Sequence, residues 1–395
     1  MQIKGGSEAF RYICENQNFM LKLLSIVGAR PQFIKAAAIS RSIRDSFSDK
    51  LQEVLVHSGQ HYDANMSSVF FDELELSLPN YTFNLTEIGS SKQIAEIIIK
   101  LDSILLDENP DAVLVYGDTN TTLAGAFSAS KHQIPLIHIE AGLRSFNKNM
   151  PEELNRVLTD HCSSILFCPT KTAIKNLRLE GIIHSKNSCS PDHPKVYYCG
   201  DIMYDNSVYY SKDINEDILS KNGLDNYLLF TMHRPINTDN PFRLRKICKM
   251  IVNLAEKHQQ KIVFPIHPRT KNAISNHMIK DDVDRFMNHQ FIKVIEPVSY
   301  KEMIVLEKNC DMIITDSGGV QKEAYFFEKP SIVLRSETEW LEIINQGASV
   351  IVNADEEKLN HHYNLFKSKR ISYPKLFGDG RSASFICNKI IEEIQ

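Results

Sequence analysis

Short apolar runs alternate along the chain with stretches of helical pattern, which predicts βαβ units and parallel sheets. One series of expected strands covers residues 23–27, 51–57, 112–116, 134–139, 164–168 and 196–199. A second covers 227–232, 262–266, 292–295, 312–315, 331–334 and 350–352. Residues 204–226 between them are polar and carry no strong strand, so a domain boundary is expected near residue 205. The fold class predicted is α/β with two parallel-sheet domains, 21–205 and 206–375. Residues 1–20 precede them as an extension, and the terminal segment 376–395 holds a helix expected to pack back on the first domain. Residues 185–194, with Pro191 and Pro194, read as a surface loop. Two similar α/β halves suggest a ligand cleft between them.

A chain of 395 residues is long enough for two cores. With 43% hydrophobic and 24% charged residues it has the balance of a soluble globular protein. A net charge of -4 gives no basic footprint for nucleic acid. No apolar run reaches the roughly 20 residues that span a bilayer, and Lys4, Glu8, Arg11 and Glu15 break any signal-like segment at the start. Eight cysteines without a Cys-x-x-Cys pair suggest reduced thiols and a cytoplasmic location. No His or Cys cluster completes a ligand set around Cys162 and Cys168, so no metal is expected.

Chemistry gathers at predicted strand ends, where ligands bind in open parallel sheets. Gly117-Asp118-Thr119 ends one apolar run and Glu140 lies just past the next, within His138-Ile-Glu-Ala-Gly-Leu-Arg144. Glu152 and Glu153 open a helix behind Pro151. Acidic residues favour helix starts through the dipole, yet with Asp118 and Glu140 they make an acid–base cluster plausible. Asp316-Ser-Gly-Gly-Val-Gln-Lys-Glu323 turns a strand into a helix. Ser317, Gly318 and Gly319 could bind a phosphate there and Glu323 a ribose diol; the plainer alternative is a tight turn capped by Ser317. Arg30 and Lys35, in Gly28-Ala-Arg-Pro-Gln-Phe-Ile-Lys35, could neutralise a diphosphate or simply form a solvated helix start. His233-Arg234, His267 to Arg269, and Arg335 also follow strands. His57, His61, His132, His361 and His362 read better as surface or core residues. Neither a P-loop nor a dinucleotide fingerprint is present, which argues against ATP hydrolysis and a nicotinamide cofactor.

In order and spacing, these motifs resemble the non-hydrolysing UDP-N-acetylglucosamine 2-epimerases from about Leu21 onward. They comprise Gly28-x-Arg-Pro-x-x-Ile-Lys35, Gly117-Asp-Thr, His138-x-Glu-Ala-Gly-Leu-Arg144, Pro151-Glu-Glu-x-Asn-Arg156, His233-Arg234 and Asp316-Ser-Gly-Gly-x-Gln-x-Glu323. The resemblance implies two Rossmann-like domains in the glycosyltransferase-B arrangement with an interdomain cleft, and usually a homodimer. It implies Asp118, Glu140 and Glu152 as catalytic carboxylates, with Arg156 a helper near them and His233 supporting the diphosphate and the leaving group. It assigns UDP phosphates and ribose to Ser317, Gly318, Gly319 and Glu323, with Arg30, Lys35 and Arg335 also supporting the diphosphate. The implied reaction removes the C2 proton, expels UDP from C1, and returns both after inversion at C2. It needs no cofactor and serves surface polysaccharide precursors. The implied partner is a UDP-sugar substrate, with no nucleic acid and no membrane.

Several positions depart from the usual pattern. Gln32-Phe33 stands where many relatives have Glu-Ala. Tyr62-Asp63 replaces Arg-Glu after Gln60-His61, which predicts a weak or absent second substrate site. Gly200-Asp-Ile-Met-Tyr-Asp205 replaces a Gly-Asn-Thr segment, and Met303 a phenylalanine set against uracil. These variants look like the branch acting on UDP-2,3-diacetamido-2,3-dideoxy-glucuronate, which is the alternative substrate. Ile236 also replaces a glutamate usual in the His-Arg-x-Glu-Asn segment. A glycosyltransferase of the same fold, a hydrolysing epimerase and a non-catalytic nucleotide-sugar binder are the remaining alternatives.

Overall fold

The computed structural model describes residues 20–60, 71–86, 89–212 and 216–394. The segment before Met20 and the substituted loop at Tyr62-Asp63 lie outside them. The chain divides into two compact units: one runs to Ile202 and takes in Arg381–Gln395, and the other is Met203–Gly380.

The first unit is a seven-stranded sheet in the order β3-β2-β1-β4-β5-β6-β7. Its strands are β1 (Leu21–Val27), β2 (Leu51–His57), β3 (Tyr81–Thr82), β4 (Ala112–Tyr116), β5 (Leu136–Ile139), β6 (Ile165–Cys168) and β7 (Lys195–Tyr198), and every neighbouring pair is parallel. The register places Leu24 beside Val54 and Val113, and Ile26 beside Val56 and Val115. This row is buried under the helices Ser90–Glu108 and Asn120–Lys131. Cover on both faces explains why these strands read as continuous apolar runs rather than alternating ones. The terminal helix Ser382–Ile394 packs on the first helix, Arg30–Ser42.

The second unit is a six-stranded parallel sheet in the order β10-β9-β8-β11-β12-β13. It comprises β8 (Tyr227–Thr231), β9 (Lys261–Pro265), β10 (Ile292–Ile295), β11 (Met312–Thr315), β12 (Ser331–Val333) and β13 (Ser349–Ile351). One face packs on the helix Pro241–His258 through Leu244, Ile247, Ile251 and Leu254. The other packs on Tyr300–Asn309 and Gly318–Phe326.

Both expected series of strands form, so the α/β class with two parallel sheets stands. Boundaries move for local reasons. β5 starts at Leu136 because Pro135 has no N–H for a ladder; its carbonyl accepts from Val113 N at 2.9 Å. β3 was missed because it is only two residues long at the sheet edge. The polar stretch after residue 204 contains the end of the helix Ile202–Tyr210 and the helix Asp217–Asn222.

A buried ionic network fixes the turns after β4 and β5. His138, the third residue of β5, is fully buried. Its Nδ1 lies 2.7 Å from Asp160 Oδ1 and its Nε2 lies 2.8 Å from the Gly117 carbonyl. Each ring nitrogen lies within hydrogen-bond distance of an oxygen, so the imidazole bridges Asp160 to the turn after β4. Asp160 Oδ2 also accepts from Gly142 N at 3.1 Å and Arg144 NH1 at 2.7 Å. Arg144 then grips Glu180 with two bonds of 2.7 and 2.6 Å. Burial pushes the Asp160 carboxyl upward, but His138 and Arg144 outweigh it and hold the group below its ordinary value.

Asp160→Asn is expected to cost about 3–5 kcal/mol, the scale of breaking a buried pair by removing one partner. Because the folded-state value of Asp160 is depressed, its stabilisation is present at neutral pH and lost as pH falls through that value. Urea titrations from pH 7 downward are therefore expected to show the wild-type advantage shrinking with acid. Equal stability of the two proteins at pH 7 would remove Asp160 from this role.

Candidate active site

Asp118 follows β4, Glu140 follows β5, and Glu152 is the second residue of the helix Pro151–Cys162. Asp118 receives an ion-pair contact from Arg156 NH2, one turn further along that helix, and keeps 31% of its side chain exposed. Arg156 NH1 also reaches Glu153 Oε2 at 2.5 Å. Glu140 is paired with Lys35 Nζ from the first helix, and both side chains are nearly buried. A Cβ added at Gly117 would lie 3.1 Å from Lys35 Nζ and 3.2 Å from Glu140 Oε2, so the turn carrying Asp118 runs along this ion pair. Glu140 and Glu152 both act on the Asp118 charge, as do Arg156 and Lys35. The four side chains chosen for acid–base work, Asp118, Glu140, Glu152 and Arg156, therefore share one electrostatic neighbourhood.

Burial, followed by the like charges of Glu140 and Glu152, holds the Asp118 carboxyl above its ordinary value against the pull of Arg156 and Lys35. Such a group can hold a proton closer to neutrality than a free aspartate, while Glu140 is a carboxylate paired with an ammonium. Carboxyls in contrasting surroundings are the arrangement that general acid–base chemistry uses. Glu140 adopts a left-handed backbone with φ of 75°. Its N–H and that of Ala141 both donate to the Phe167 carbonyl, at 3.1 and 3.0 Å. Gly142 follows with φ of 78°, and a Cβ there would fall 2.5 Å from the Ala173 carbonyl oxygen, so only glycine fits.

The neighbouring acid Glu153 does different work from Glu152. It is buried and accepts from Ser145 N and Phe146 N at 2.8 and 2.9 Å, while Glu152 is exposed. Asn155 Nδ2 donates to the Asp118 carbonyl at 3.0 Å. Lys35, considered for a diphosphate, lies against Glu140; Arg30, at the start of the same helix, is exposed. Gln32 explains its own presence. Its Oε1 accepts from Gly28 N and Ala29 N at 2.8 and 3.0 Å, and its Nε2 donates to the Tyr116 carbonyl at 2.8 Å. A glutamate could not make that last bond.

In the second unit Asp316 is fully buried and organises the other cluster. It accepts from His233 N at 3.1 Å, Arg234 N at 3.0 Å and Asn237 Nδ2 at 2.9 Å, tying the turn after β8 to the turn after β11. The His233 ring remains half-exposed, with Nδ1 3.6 Å from Asp316 Oδ1. Ser317 caps the helix Gly318–Phe326 by accepting from Val320 N at 3.4 Å. A Cβ at Gly318 would meet Glu339 Oε1 at 2.4 Å, whereas one at Gly319 would have no contact under 3.8 Å. Arg335 is buried and donates to Glu339 Oε2 at 2.9 Å. Burial raises the Glu339 carboxyl, but Arg335 and Arg234 outweigh it and leave it below its ordinary value. Glu323, one and a half turns into the helix, is buried. Ser317, Gly318, Gly319, His233 and Arg335 thus belong to neighbouring turns at the carboxyl ends of β8, β11 and β12. Ile236 is exposed on the short helix Pro235–Thr238, and Met303 packs on the core beside β8 and β11.

Sequence reasoning missed Asp160 and the separate task of Glu153. No local signal marked Asp160: a polar set such as Asn155, Thr159 and Asp160 on one helix reads as a solvated face until tertiary packing buries it. Among the described residues no helix is long and apolar enough to cross a membrane.

Known proteins share this chain almost from end to end. The profile of the UDP-N-acetylglucosamine 2-epimerase family matches residues 45–391. A UDP-N-acetylglucosamine 2-epimerase homolog of Methanococcus maripaludis is 43% identical over 95% of this chain and 99% of its own. The UDP-2,3-diacetamido-2,3-dideoxy-D-glucuronate 2-epimerase of Pseudomonas aeruginosa is 41% identical over 93% and 98%. Among solved structures, the UDP-GlcNAc 2-epimerase of Methanocaldococcus jannaschii in complex with UDP-GlcNAc and UDP superposes with a TM-score of 0.82. It is 39% identical, over 94% of this chain and all of that one. With the carboxylates, the glycine turn and this full-length likeness in place, the chain belongs to the UDP-N-acetylglucosamine 2-epimerase family.

Proposed function

We propose that the protein interconverts UDP-N-acetylglucosamine and UDP-N-acetylmannosamine without hydrolysis, inverting the sugar at C2, for the synthesis of surface polysaccharide precursors. The observation that carries this reading is the shared field of Asp118, Glu140 and Glu152 around the Gly117 turn. In the forward direction the C2–H bond breaks and its proton passes to a carboxylate. The C1–O bond breaks with its electron pair leaving on UDP, and the C1–C2 double bond of 2-acetamidoglucal forms. Addition of UDP at C1 and of a proton to the opposite face of C2 completes the inversion. The C2 proton is poorly acidic, so positive character at C1 must develop as UDP departs. Groups that stabilise the leaving diphosphate therefore accelerate proton removal as well.

In this reading Asp118, Glu140 and Glu152 supply the base and acid, and Arg156 holds Asp118. Ser317, Gly318 and Gly319 offer backbone N–H groups to the diphosphate at a helix start. Arg30, Lys35, His233 and Arg335 contribute cationic character, and Glu323 takes the ribose hydroxyls. The free thiols of all seven described cysteines fit a cytosolic protein. A homodimer is part of the same proposal. It is supported by the apolar side chains Ile99, Leu106, Phe127, Leu154 and Leu158, exposed on three helices that pack side by side, the kind of surface a partner subunit would cover.

Turnover in D2O is expected to place deuterium at C2 of both epimers, followed by NMR with UDP-N-acetylglucosamine and, in parallel, UDP-2,3-diacetamido-2,3-dideoxy-glucuronate. Product that retains all its C2 protium would eliminate proton abstraction, and exclusive turnover of the second sugar would reassign the substrate.

Asp118→Asn, Glu140→Gln and Glu152→Gln are each expected to slow turnover by roughly 10²–10⁴-fold, the weight of a positioned acid or base. Steady-state rates of the folded variants decide this one residue at a time, and near-normal turnover removes that residue from the set.

Light scattering is expected to give a mass near twice 45.2 kDa. Ile99→Glu combined with Phe127→Glu is expected to halve it. A monomeric wild type, or a double variant that stays dimeric, contradicts this interface.

A further inference from the structure

Glu307 is an anomaly in the second unit. The helix Tyr300–Asn309 buries Tyr300, Ile304 and Glu307 along one stripe, at the spacing of a face turned toward a core. Two of the three suit that environment, and the third is a carboxyl with no exposed surface. Among the described residues no hydrogen-bond donor reaches either of its side-chain oxygens. The polar group it meets is a second carboxyl, Glu323, on the packed helix Gly318–Phe326. The Tyr300 hydroxyl lies near Glu323 and Ser207. The other titratable groups within influence are Tyr227 on β8 and Cys310 after the helix, both of which burial keeps in their neutral forms at ordinary pH.

Two carboxylates do not both ionise readily in such a place, because burial strips each charge of the solvation it needs and the like charges repel. A single shared proton resolves the contact and supplies the donor that the oxygen–oxygen approach requires. Burial first and Glu323 second push the Glu307 carboxyl well above its ordinary value, in keeping with a proton held by Glu307.

We propose that Glu307 is a positioning residue: as the neutral acid it donates its proton in a hydrogen bond to Glu323, holding Glu323 as the anion that accepts the ribose hydroxyls of UDP. This rests on the reading of Glu323 as the ribose ligand. The device is pH-dependent with a definite sign. Below the raised value the pair holds one negative charge and Glu323 is fixed. As pH rises through that value Glu307 ionises, the two like charges repel, and both folding stability and UDP affinity decline.

The test uses the full chain with UDP as the probe. Titration calorimetry between pH 5 and 9 compares wild type with Glu307→Gln, whose amide still donates but cannot ionise, and with Glu307→Leu, which fills the space without a donor. Ionisations of UDP itself are common to all three and cancel in the comparison. Wild-type affinity is expected to fall by about tenfold or more relative to Glu307→Gln as pH rises, tenfold being the linkage of one pKa unit. Glu307→Leu is expected to bind UDP more weakly than Glu307→Gln at acidic pH, where only the lost donor separates them. Melting temperatures are expected to follow, with wild type losing stability relative to Glu307→Gln toward alkaline pH. Parallel melting and affinity curves for wild type and Glu307→Gln overturn the shared proton. Equal affinities of the Gln and Leu variants overturn the positioning role. Failure of the wild type to bind UDP at any pH defeats the nucleotide-sugar reading instead, and the melting comparison still decides whether Glu307 holds the proton.

Discussion

A parallel sheet ends all its strands at one edge, and this constraint organises both units. The carboxyl ends of β4 and β5 deliver Asp118 and Glu140, while those of β8, β11 and β12 deliver His233, Ser317 and Arg335. Interior strands are largely apolar because helices cover both faces, with His138 a buried polar exception bonded on both sides. Most of the polar chemistry is thereby concentrated in the turns, where backbone direction rather than strand pairing sets each side chain. Those turns need internal supports of their own.

A fully buried aspartate provides the support in each unit. Asp160 binds His138, Arg144 and the Gly142 amide, while Asp316 binds two successive amides after β8 and the Asn237 side chain. Both carboxylates spend their lone pairs on protein groups, and both connect segments distant in sequence. Arg156 repeats the logic nearer the chemistry, dividing its guanidinium between Glu153, which ties the helix to the 145–146 turn, and Asp118. Burial makes such supports stiff, since no water is available to replace a lost partner.

The fold was legible because its signals are local and repeated: twelve apolar runs, each followed by a turn and a helical pattern, became strands. Their ends shifted where a single residue intervened, as Pro135 does, and the short strand Tyr81–Thr82 lacked enough residues to show a period. The positions of the candidate residues were legible where residue type and strand end coincided: Asp118, Glu140 and Ser317 do follow β4, β5 and β11. The distinction between Glu152 and Glu153 was not, since both are acids in one helical turn and only tertiary contact buries the second. Glu307 was invisible for a related reason. An acid in a helix reads as a solvated position until the facing helix is known.

Glu140 holds a left-handed backbone that a side chain with a Cβ adopts at a cost of order 1 kcal/mol or more. Glycine or asparagine would occupy that conformation more comfortably. A residue without the carboxylate would relieve that strain but strand the nearly buried Lys35 ammonium, a loss of about 3–5 kcal/mol on the scale of breaking a buried pair. The ion pair therefore outweighs the backbone cost, and position 140 is held to a carboxylate by stability as well as by any chemistry it performs.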